Sequence, residues 1–320
     1  MIKRLALAVL LAALATGARA ETPVVRVAVL KFGTVNWLME TIRANRLDQA
    51  AGYRLEVVPL AGKPATAIAF QGGDVDLIVG DWVWAMRQRG EGGDDRFFPF
   101  SRSLGALLAR PGADIDGLCD LRDRPLGVVG GPLDKSWLVL RALVQRDCGF
   151  DLAEETQTLF GAPPLMSRQL ETGGVDAVLT FWHYAARLAA AGAEPVISIS
   201  EAIDQLGIDP APALVGFIWD GSRTDREAIR RFRASVDAAS TRLESSDEAW
   251  ETLRPMMRVS SDAEYQALRN AYRDGIQTTW SMTDTDAAHR LHSVMARVGG
   301  VAFDDAAGPF DDQVFAGSDG

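Results

Sequence analysis

Short apolar runs alternate with amphipathic segments between residues 24 and 80. Strand-like runs occupy 24–30, 53–60 and 75–80, and they are rich in β-branched residues. Between them, residues 36–52 and 63–73 have apolar positions at helical spacing, and both segments run into glycine. Because strands and helices alternate with short connections, the pattern predicts a mostly parallel sheet flanked by helices.

The same order of elements returns between residues 124 and 180. We expect strands at 124–130, 155–161 and 175–180, with helices at 135–147 and 163–174. The stretches QGGDVDLIVGDWVW (71–84) and TGGVDAVLTFWHY (172–184) each contain paired glycines, Val-Asp and an apolar run that ends in tryptophan. Paired glycines suit the end of a helix, where a left-handed residue is needed. The sequence therefore predicts two α/β lobes of similar plan.

The rest of the chain has a different pattern. After a strand at 194–199, the Pro-containing residues 206–214 suggest a return crossover, and the chain is mainly helical from residue 225. Residues 301–320 are rich in Gly and Asp and predict a flexible acidic tail. No long linker separates the lobes, which favours a hinge made of crossing strands.

The first 20 residues have the pattern of a secretory signal peptide. Lys3 and Arg4 precede an apolar run, and Ala18-Arg19-Ala20 forms a small-x-small cleavage site. We expect a periplasmic protein that is not a lipoprotein, because no cysteine follows the site. The leader holds three basic residues and no acid, so its removal changes the net charge from −10 to −13. A surface this acidic argues against nucleic acid or an anionic membrane as partner.

Cys119 and Cys148 form an even pair in an oxidising compartment. The first lies before the strand at 124–130 and the second lies where the returning helix ends, so both ends reach the same side. We predict a disulfide worth about 3–4 kcal/mol in the chain-entropy model. Two separate buried thiols are the alternative.

Candidate ligand-binding residues follow the carboxyl ends of the predicted strands, where open parallel sheets bind ligands. Any single tryptophan there suits a core position, but their concentration at strand ends favours an aromatic-walled cleft. Lys63 and nearby helix N-termini favour an anion, whereas Asp81 favours a cation. The candidates are Phe32, Thr34, Asn36, Trp37, Lys63, Pro64, Asp81, Trp82, Trp84, Gly131, Ser136, Trp137, Phe181, Trp182 and His183.

The sequence carries little sign of catalysis. No Ser or Cys nucleophile motif accompanies His183, and His289 and His292 lie on a predicted exposed helix without metal-ligand spacing. The paired acids, such as Asp94-Asp95, have no calcium-loop spacing. We therefore expect a protein without catalytic residues, metal or cofactor.

Three motifs together resemble the periplasmic substrate-binding proteins of ABC importers, in the group that includes binders of nitrate, taurine, alkanesulfonates and thiamine precursors. They are AGYRLEVVPLAGKPATAIAFQGGDVDLIVGD (51–81), DGLCDLRDRPLGVVGGPLDKSWLVLRALVQRDCGFD (116–151) and GGVDAVLTFWHYAARL (173–188). The resemblance implies a type 2 periplasmic-binding-protein fold with a ligand cleft between lobes. Lobe 1 would contain 21–103 plus 215–300, and lobe 2 would contain 104–205.

That resemblance also implies a monomer that closes on a small-molecule ligand and delivers it to an ABC permease. The segment 181–184 reads Phe-Trp-His-Tyr, where the group has Trp-Asp-Pro-Tyr, and the loop 131–134 lacks the group's Ser/Thr character. These departures point away from sulfonate or nitrate and toward a larger ligand with an aromatic or heterocyclic body and a polar end. Two other hypotheses are an accessory protein for an exported dehydrogenase and an enzyme related to pyrimidine-precursor synthases.

Overall fold

The computed structural model describes residues 22–315, which form two five-stranded sheets flanked by helices. The strands are β1 (Val24–Leu30), β2 (Arg54–Leu60), β3 (Leu77–Asp81), β4 (Asp95–Ser101), β5 (Gly105–Ala109), β6 (Pro125–Val129), β7 (Gln157–Gly161), β8 (Ala177–Phe181), β9 (Glu194–Ser198) and β10 (Val215–Asp220).

The helices before β10 are α1 (Val35–Ala44), α2 (Leu47–Ala50), α3 (Lys63–Gln71), α4 (Trp82–Gly90), α5 (Lys135–Cys148), α6 (Leu152–Glu155), α7 (Pro163–Glu171), α8 (Trp182–Ala190) and α9 (Ile199–Gln205). Those after it are α10 (Arg226–Ser245), α11 (Asp247–Met257), α12 (Asp262–Asp274) and α13 (Met282–Ala307). Leu118–Leu121 and Asp312–Phe315 form short 3₁₀ helices. The predicted signal peptide lies outside the described residues.

The two sheets repeat one plan. Lobe 1 has the order β2-β1-β3-β10-β4, and lobe 2 has the order β7-β6-β8-β5-β9. In each lobe three strands run parallel, and the fourth strand in the order is antiparallel to its neighbour: β10 to β3 in lobe 1, and β5 to β8 in lobe 2. The predicted two-lobed α/β fold is confirmed.

The glycine pairs have the role that the sequence suggests. Gly73 follows α3 with φ +79°, and Gly173 follows α7 with φ +76°. A side chain disfavours this left-handed conformation, whereas glycine adopts it readily. Each glycine therefore ends its helix and turns the chain into the next buried strand of its lobe.

The outer side of lobe 1 has a core in which α1 and α10–α12 cover the sheet. Phe217, Phe232 and Trp250 are fully buried there. A second core runs from the other face of lobe 1 into lobe 2 without interruption, and it includes Trp82, Trp137 and α13. The lobes therefore share buried apolar contacts on one side of the molecule.

The C-terminal region differs from its prediction in two ways. Helix α13 packs against α5 of lobe 2 as well as α4 of lobe 1, so residues 282–300 do not belong to lobe 1 alone. Residues 301–315 are not a flexible tail, because Phe303, Val314 and Phe315 are buried. The prediction relied on the acidic composition and overlooked the apolar side chains that are buried. The last five residues lie outside the described part of the chain.

Three segments pass between the lobes. Residues 102–104 join β4 to β5, residues 206–214 join α9 to β10, and residues 275–281 lead to α13. The first and third segments are hydrogen-bonded, because the Arg102 amide donates to the Gly275 carbonyl at 2.8 Å. The lobes are therefore joined by three short irregular segments, two of which are hydrogen-bonded to each other, in line with the absence of a long linker.

The predicted disulfide is present between Cys119 and Cys148, whose Cα atoms are 5.4 Å apart. It ties the 3₁₀ turn that precedes β6 to the last residue of α5. Within residues 22–315, no helix has the length and apolarity needed to cross a membrane.

Candidate functional site

A pocket of about 610 Å³ lies between the two lobes. Its walls come from the loop after β1 and the start of α1, from the start of α8, and from the end of α11. The lining residues are Lys31, Phe32, Gly33, Thr34, Asn36, Trp37, His183, Tyr184, Arg187, Pro255, Met256, Met257 and Arg258. Five predicted site residues are thus brought together here, namely Phe32, Thr34, Asn36, Trp37 and His183.

The loop after β1 is held in shape by Asn36. Its side-chain amide donates to the carbonyls of Leu30 at 2.8 Å and Gly33 at 2.7 Å. Thr34 occupies the N-cap of α1, but its side chain makes no capping hydrogen bond. The first amides of this ten-residue helix are therefore not capped by a side chain, and helix N-termini favour negative charge.

Phe32 forms an exposed aromatic edge of the pocket, since 70% of its surface is accessible. The Lys31 ammonium lies 5.7 Å from its ring centroid, and the Arg258 guanidinium lies 4.8 Å from it. Neither cation forms an ion pair with a carboxylate of residues 22–315. Two positive groups therefore flank one aromatic ring at the pocket edge.

The wall from lobe 2 is built around His183. Its ring lies 4.7 Å from that of Tyr184 and stacks on Phe181 at 6.4 Å. The Nδ1 atom is buried and has no hydrogen-bond partner. Burial, together with the positive charge of Arg187, lowers the pKa of His183 to about 4. The imidazole is therefore neutral near pH 7 and adds no charge to the pocket.

Arg187 connects α8 to the C-terminal helices of lobe 1. Its guanidinium donates to the Met257 carbonyl at 2.8 Å and forms an ion pair with Glu264. Glu264 also accepts hydrogen bonds from the amide and hydroxyl of Ser260. This network fixes the α11–α12 connection, where Arg258 has a left-handed φ of 54°. The third wall of the pocket is held in place by a residue of the opposite lobe.

The aromatic residues behind the pocket also join the lobes. Trp182 of lobe 2 lies edge to face with Trp37 of lobe 1, with ring centroids 6.0 Å apart. Trp182 also contacts Tyr272, and Trp37 contacts Trp250. Trp182 is only partly buried, yet it packs against the lobe 1 core. Trp37 and Trp182, both predicted to line the cleft, therefore contact each other across the boundary between the lobes.

Asp81, one of the predicted residues, takes part in a charged contact between the lobes. The Lys135 ammonium at the start of α5 donates to the Asp81 carboxylate, the N-cap of α4, at 3.1 Å. Burial alone would raise the pKa of Asp81, but the charges of Lys135 and Lys63 and the hydrogen bond from the Trp84 amide hold it below its usual value. Asp134 caps α5, and burial raises its pKa despite the same two lysines.

Two of the predicted tryptophans have no surface for a ligand in this conformation. Trp82 is 0% exposed and Trp137 is 1% exposed. The Trp82 indole donates to the Ala213 carbonyl at 3.2 Å and is covered by Phe310 and Phe315. Their assignment to the cleft wall is corrected, because both rings point into the shared core.

The remaining predicted residues lie outside the pocket. Trp84 is half-buried beside Phe70, and Ser136 is buried in the first turn of α5. Lys63 and Pro64 are exposed at the start of α3, and Gly131 is half-buried in the loop before α5.

Sequence reasoning did not single out Arg187 or the residues at the end of α11. Arg187 lies one helical turn after His183, so helical spacing could have found it. Pro255–Met257 end an amphipathic helix far along the chain and Arg258 follows it, and no local pattern connects these residues to β1. Within residues 22–315, no group of His, Cys, Asp and Glu side chains has an arrangement that could hold a metal ion.

Comparisons with known proteins show similarity at the level of the fold. No family model matches the sequence, and no curated protein matches it. The aliphatic sulphonate binding protein SsuA from Escherichia coli is 15% identical, with a TM-score of 0.67 and 87% of each chain covered. SsuA from Xanthomonas axonopodis pv. citri, bound to MOPS, is 14% identical with a TM-score of 0.68, covering 94% of this chain and 99% of that one.

A structure named as the desulfurization enzyme DSZB is 16% identical, with a TM-score of 0.60 and coverage of 91% of this chain and 97% of that one. Binding proteins and an enzyme therefore share this architecture, and identities this low speak for the fold alone. The coverage and the TM-scores of the two SsuA structures show that the chain has the two-lobed fold of these periplasmic binding proteins.

Proposed function

We propose that this chain is an extracytoplasmic solute-binding protein that closes on a small organic ligand and delivers it to an ABC permease. The observation that carries the proposal is the composition of the pocket, whose walls come from both lobes. A ligand in this pocket touches the loop after β1, α8 and the end of α11 at once. It therefore stabilises the conformation in which the lobes are together.

The aromatic lining favours a ligand with a planar body. Phe32, Trp37, His183 and Tyr184 contribute rings, and Met256 and Met257 contribute adaptable apolar side chains. Aromatic pairs gain about 0.5–1.5 kcal/mol beyond area burial. A pocket of this size holds an aromatic or heterocyclic molecule with room for substituents.

The charges of the lining favour an anionic polar end. Lys31, Arg187 and Arg258 line the pocket, and no Asp or Glu is among its lining residues. Glu264 neutralises Arg187 from behind, so Lys31 and Arg258 are the cations left for a ligand. The pocket therefore has a local excess of positive charge in a chain whose net charge is −10. This contrast indicates a site arranged for a negative group.

The same lining favours binding over conversion. The described pocket contains no Ser, Cys, Asp or Glu, so His183 has no serine, cysteine or carboxylate partner in it. Because the chain is similar to a structure named as a desulfurization enzyme, the experiment also tests whether a bound ligand is converted.

The experiment is a thermal-shift screen of the mature chain against aliphatic sulfonates, aromatic carboxylates and sulfonates, neutral heterocycles, amines and cofactor fragments. Hits are titrated by calorimetry, and chromatography of each mixture detects any turnover. We expect aromatic anions to bind, and Phe32→Ala and Arg258→Gln each to weaken binding by about tenfold. Delivery is tested by uptake of the same ligand into cells with and without the gene.

Matched controls keep the site assignment open to refutation. Phe160→Ala removes an exposed ring of lobe 2, and Arg168→Gln removes an exposed cation of α7; both lie outside the pocket. Neither control should change affinity. Ligands that bind Phe32→Ala and Arg258→Gln as tightly as the parent chain would refute the pocket, and a stable protein complex without small-molecule affinity would favour the accessory role.

A further inference from the structure

The two lobes contact each other at equivalent positions of the repeat. In lobe 1, β3 ends at Asp81 and α4 begins with Trp82; in lobe 2, β8 ends at Phe181 and α8 begins with Trp182. The start of α4 meets the start of α5 through Asp81 and Lys135. The start of α8 meets α1 through Trp182 and Trp37. One structural relationship therefore occurs twice, once in each direction across the cleft.

The chemistry of the two contacts is different. The contact of Trp182 with Trp37 is aromatic, and the partly buried Arg187–Glu264 ion pair, with side-chain exposures of 30% and 10%, reinforces it. The contact of Asp81 with Lys135 is an ion pair with side-chain exposures of 17% and 29%, so it is partly buried and salt ions can still approach the ammonium. Salt screens such an ion pair, whereas it does not weaken aromatic packing. The polar contact is therefore the one of the two that salt weakens.

The groups around the ion pair form a balanced set. Lobe 1 contributes Asp81 and Lys63, and lobe 2 contributes Asp134 and Lys135. Each lobe carries one positive and one negative charge at this junction, so approach of the lobes pairs opposite charges. Asp81 and Asp134 are both fixed as helix N-caps, which limits how far either carboxylate can move.

We infer that the Asp81–Lys135 ion pair is a latch between the lobes, which holds the cleft shut at this side when no ligand is bound, while the Trp37–Trp182 contact acts as the more permanent side of the hinge. This regulation rests on the closure of two lobes contained in the proposed function. It does not depend on which ligand binds. Opening breaks the latch first, and salt shifts the equilibrium toward the open form.

The test measures the distance between the lobes in the ligand-free mature chain. Fluorescent labels are placed at Ile68→Cys in lobe 1 and Leu165→Cys in lobe 2, which are exposed at 70% and 50%, and the native cysteines are bonded to each other. Single-molecule energy transfer then gives the open fraction. Asp81→Asn and Lys135→Gln each remove one charge, and Asn preserves the N-cap of α4.

We expect each single variant to raise the open fraction about fivefold at low salt. The double variant Asp81→Asn/Lys135→Gln should resemble the single variants, because the second change removes nothing further. The parent chain in 1 M NaCl should move toward the variants. Glu227→Gln, which breaks an exposed ion pair within α10, is the matched control and should have no effect.

Two results would overturn the latch. One is an unchanged distance distribution in both single variants with intact circular dichroism and thermal unfolding. The other is a double variant whose effect equals the product of the single effects, which would mean that the two charges act independently. Neither result bears on whether a ligand binds in the pocket. If no ligand is found, the distance between the lobes can still be measured in the ligand-free chain. A failure of the latch is therefore distinguishable from a failure of the proposed function.

Discussion

The indole rings of Trp37 and Trp182 meet edge to face across the boundary between the lobes, with their centroids 6.0 Å apart. Trp182 is the first residue of α8 in lobe 2, yet its ring completes an aromatic group of lobe 1 that includes Tyr272 and, through Trp37, Trp250. The pocket lies beside this contact, and His183 follows Trp182 directly. Packing between the lobes and the shape of the pocket are therefore coupled.

Trp182→Ala should weaken ligand binding more than it weakens the fold. The ring is only partly buried, so its loss removes a contact between the lobes and leaves the core of each lobe intact. We expect about 1–2 kcal/mol of lost stability and at least a tenfold loss of affinity. Chemical denaturation and calorimetry with a ligand from the screen measure the two quantities. Unchanged affinity in a folded variant would contradict the role of this contact.

Trp82→Ala should weaken the fold more than it weakens ligand binding, although Trp82 occupies the position in lobe 1 that is equivalent to Trp182. Its ring is fully buried among Phe310, Phe315 and the crossing segment at Ala213. Truncation of a buried Trp costs about 3–5 kcal/mol. Trp82→Phe, which loses mainly the hydrogen bond to Ala213, should cost about 1 kcal/mol. Equal denaturation midpoints for Trp82→Ala and the parent chain would show that the ring is not part of the core.

The C-terminal segment should contribute to stability rather than behave as a loose tail. Phe315 stacks on Trp280 with centroids 4.4 Å apart and contacts Phe97. Phe315→Ala should lower the free energy of unfolding by about 3 kcal/mol. Val301→Ala, at an exposed position of α13, is a control that should change it by less than about 0.5 kcal/mol. Denaturation curves of the two variants compare them directly. Coincident curves would support the prediction of a flexible tail.

Much of the fold follows from local pattern. The β-branched runs, the amphipathic segments and the glycine pairs are each patterns of a few neighbouring residues. Local preferences of this kind largely determine where strands and helices begin and end. The disulfide follows from the same information, since a strand and its returning helix bring Cys119 and Cys148 together. The repeat of the pattern then implies two lobes.

The site could be predicted only in part, because strand-end positions do not determine which way a side chain faces. Trp82 and Trp182 both begin the helix after the third strand of their lobe. A distant segment that contains Phe310 and Phe315 covers the first, whereas the second packs across the lobe boundary against Trp37 and Tyr272 and stays partly exposed. The α11 wall also reaches the pocket through tertiary packing, and Arg258 contacts Phe32 although nothing in either local sequence links them.

His183 should make stability depend on pH. Its pKa is about 4 in the folded chain and about 6.5 when unfolded, so the unfolded chain binds more protons between these values. The contribution of His183 to stability is therefore complete above pH 6.5 and is lost as the pH falls toward 4, by up to about 3 kcal/mol. His183→Gln should remove this part of the slope in denaturation curves recorded from pH 4 to 7.

A surface histidine provides the control for that slope. His289→Gln, on an exposed turn of α13, is the matched substitution and is measured beside His183→Gln. If His183→Gln and the parent chain lose stability in parallel as the pH falls, the buried imidazole is not the group that titrates.

Asp95→Asn should stabilise the protein at neutral pH. Asp95 is 6% exposed, its Oδ1 has no hydrogen-bond partner, and it lies directly opposite Asp220 in the pairing of β4 with β10. Burial and the charge of Asp220 raise the pKa of Asp95 to about 6, although Arg223 and Arg89 oppose the shift. The folded chain therefore binds the extra proton, and ionisation costs stability as the pH rises from 4 through 6.

Asparagine removes that ionisation, so we expect a gain of about 1–3 kcal/mol at pH 7.5 and little change at pH 4. The neighbouring Asp94 is the matched control, because it is paired with Arg89 at 2.9 Å and Arg96 at 2.7 Å. Asp94→Asn should therefore lose stability at pH 7.5, where Asp95→Asn gains it. Guanidinium denaturation at the two pH values measures both changes. A loss of stability in Asp95→Asn at pH 7.5 would mean that the carboxylate is held as a favourable partner of the arginines, against the sign argued here.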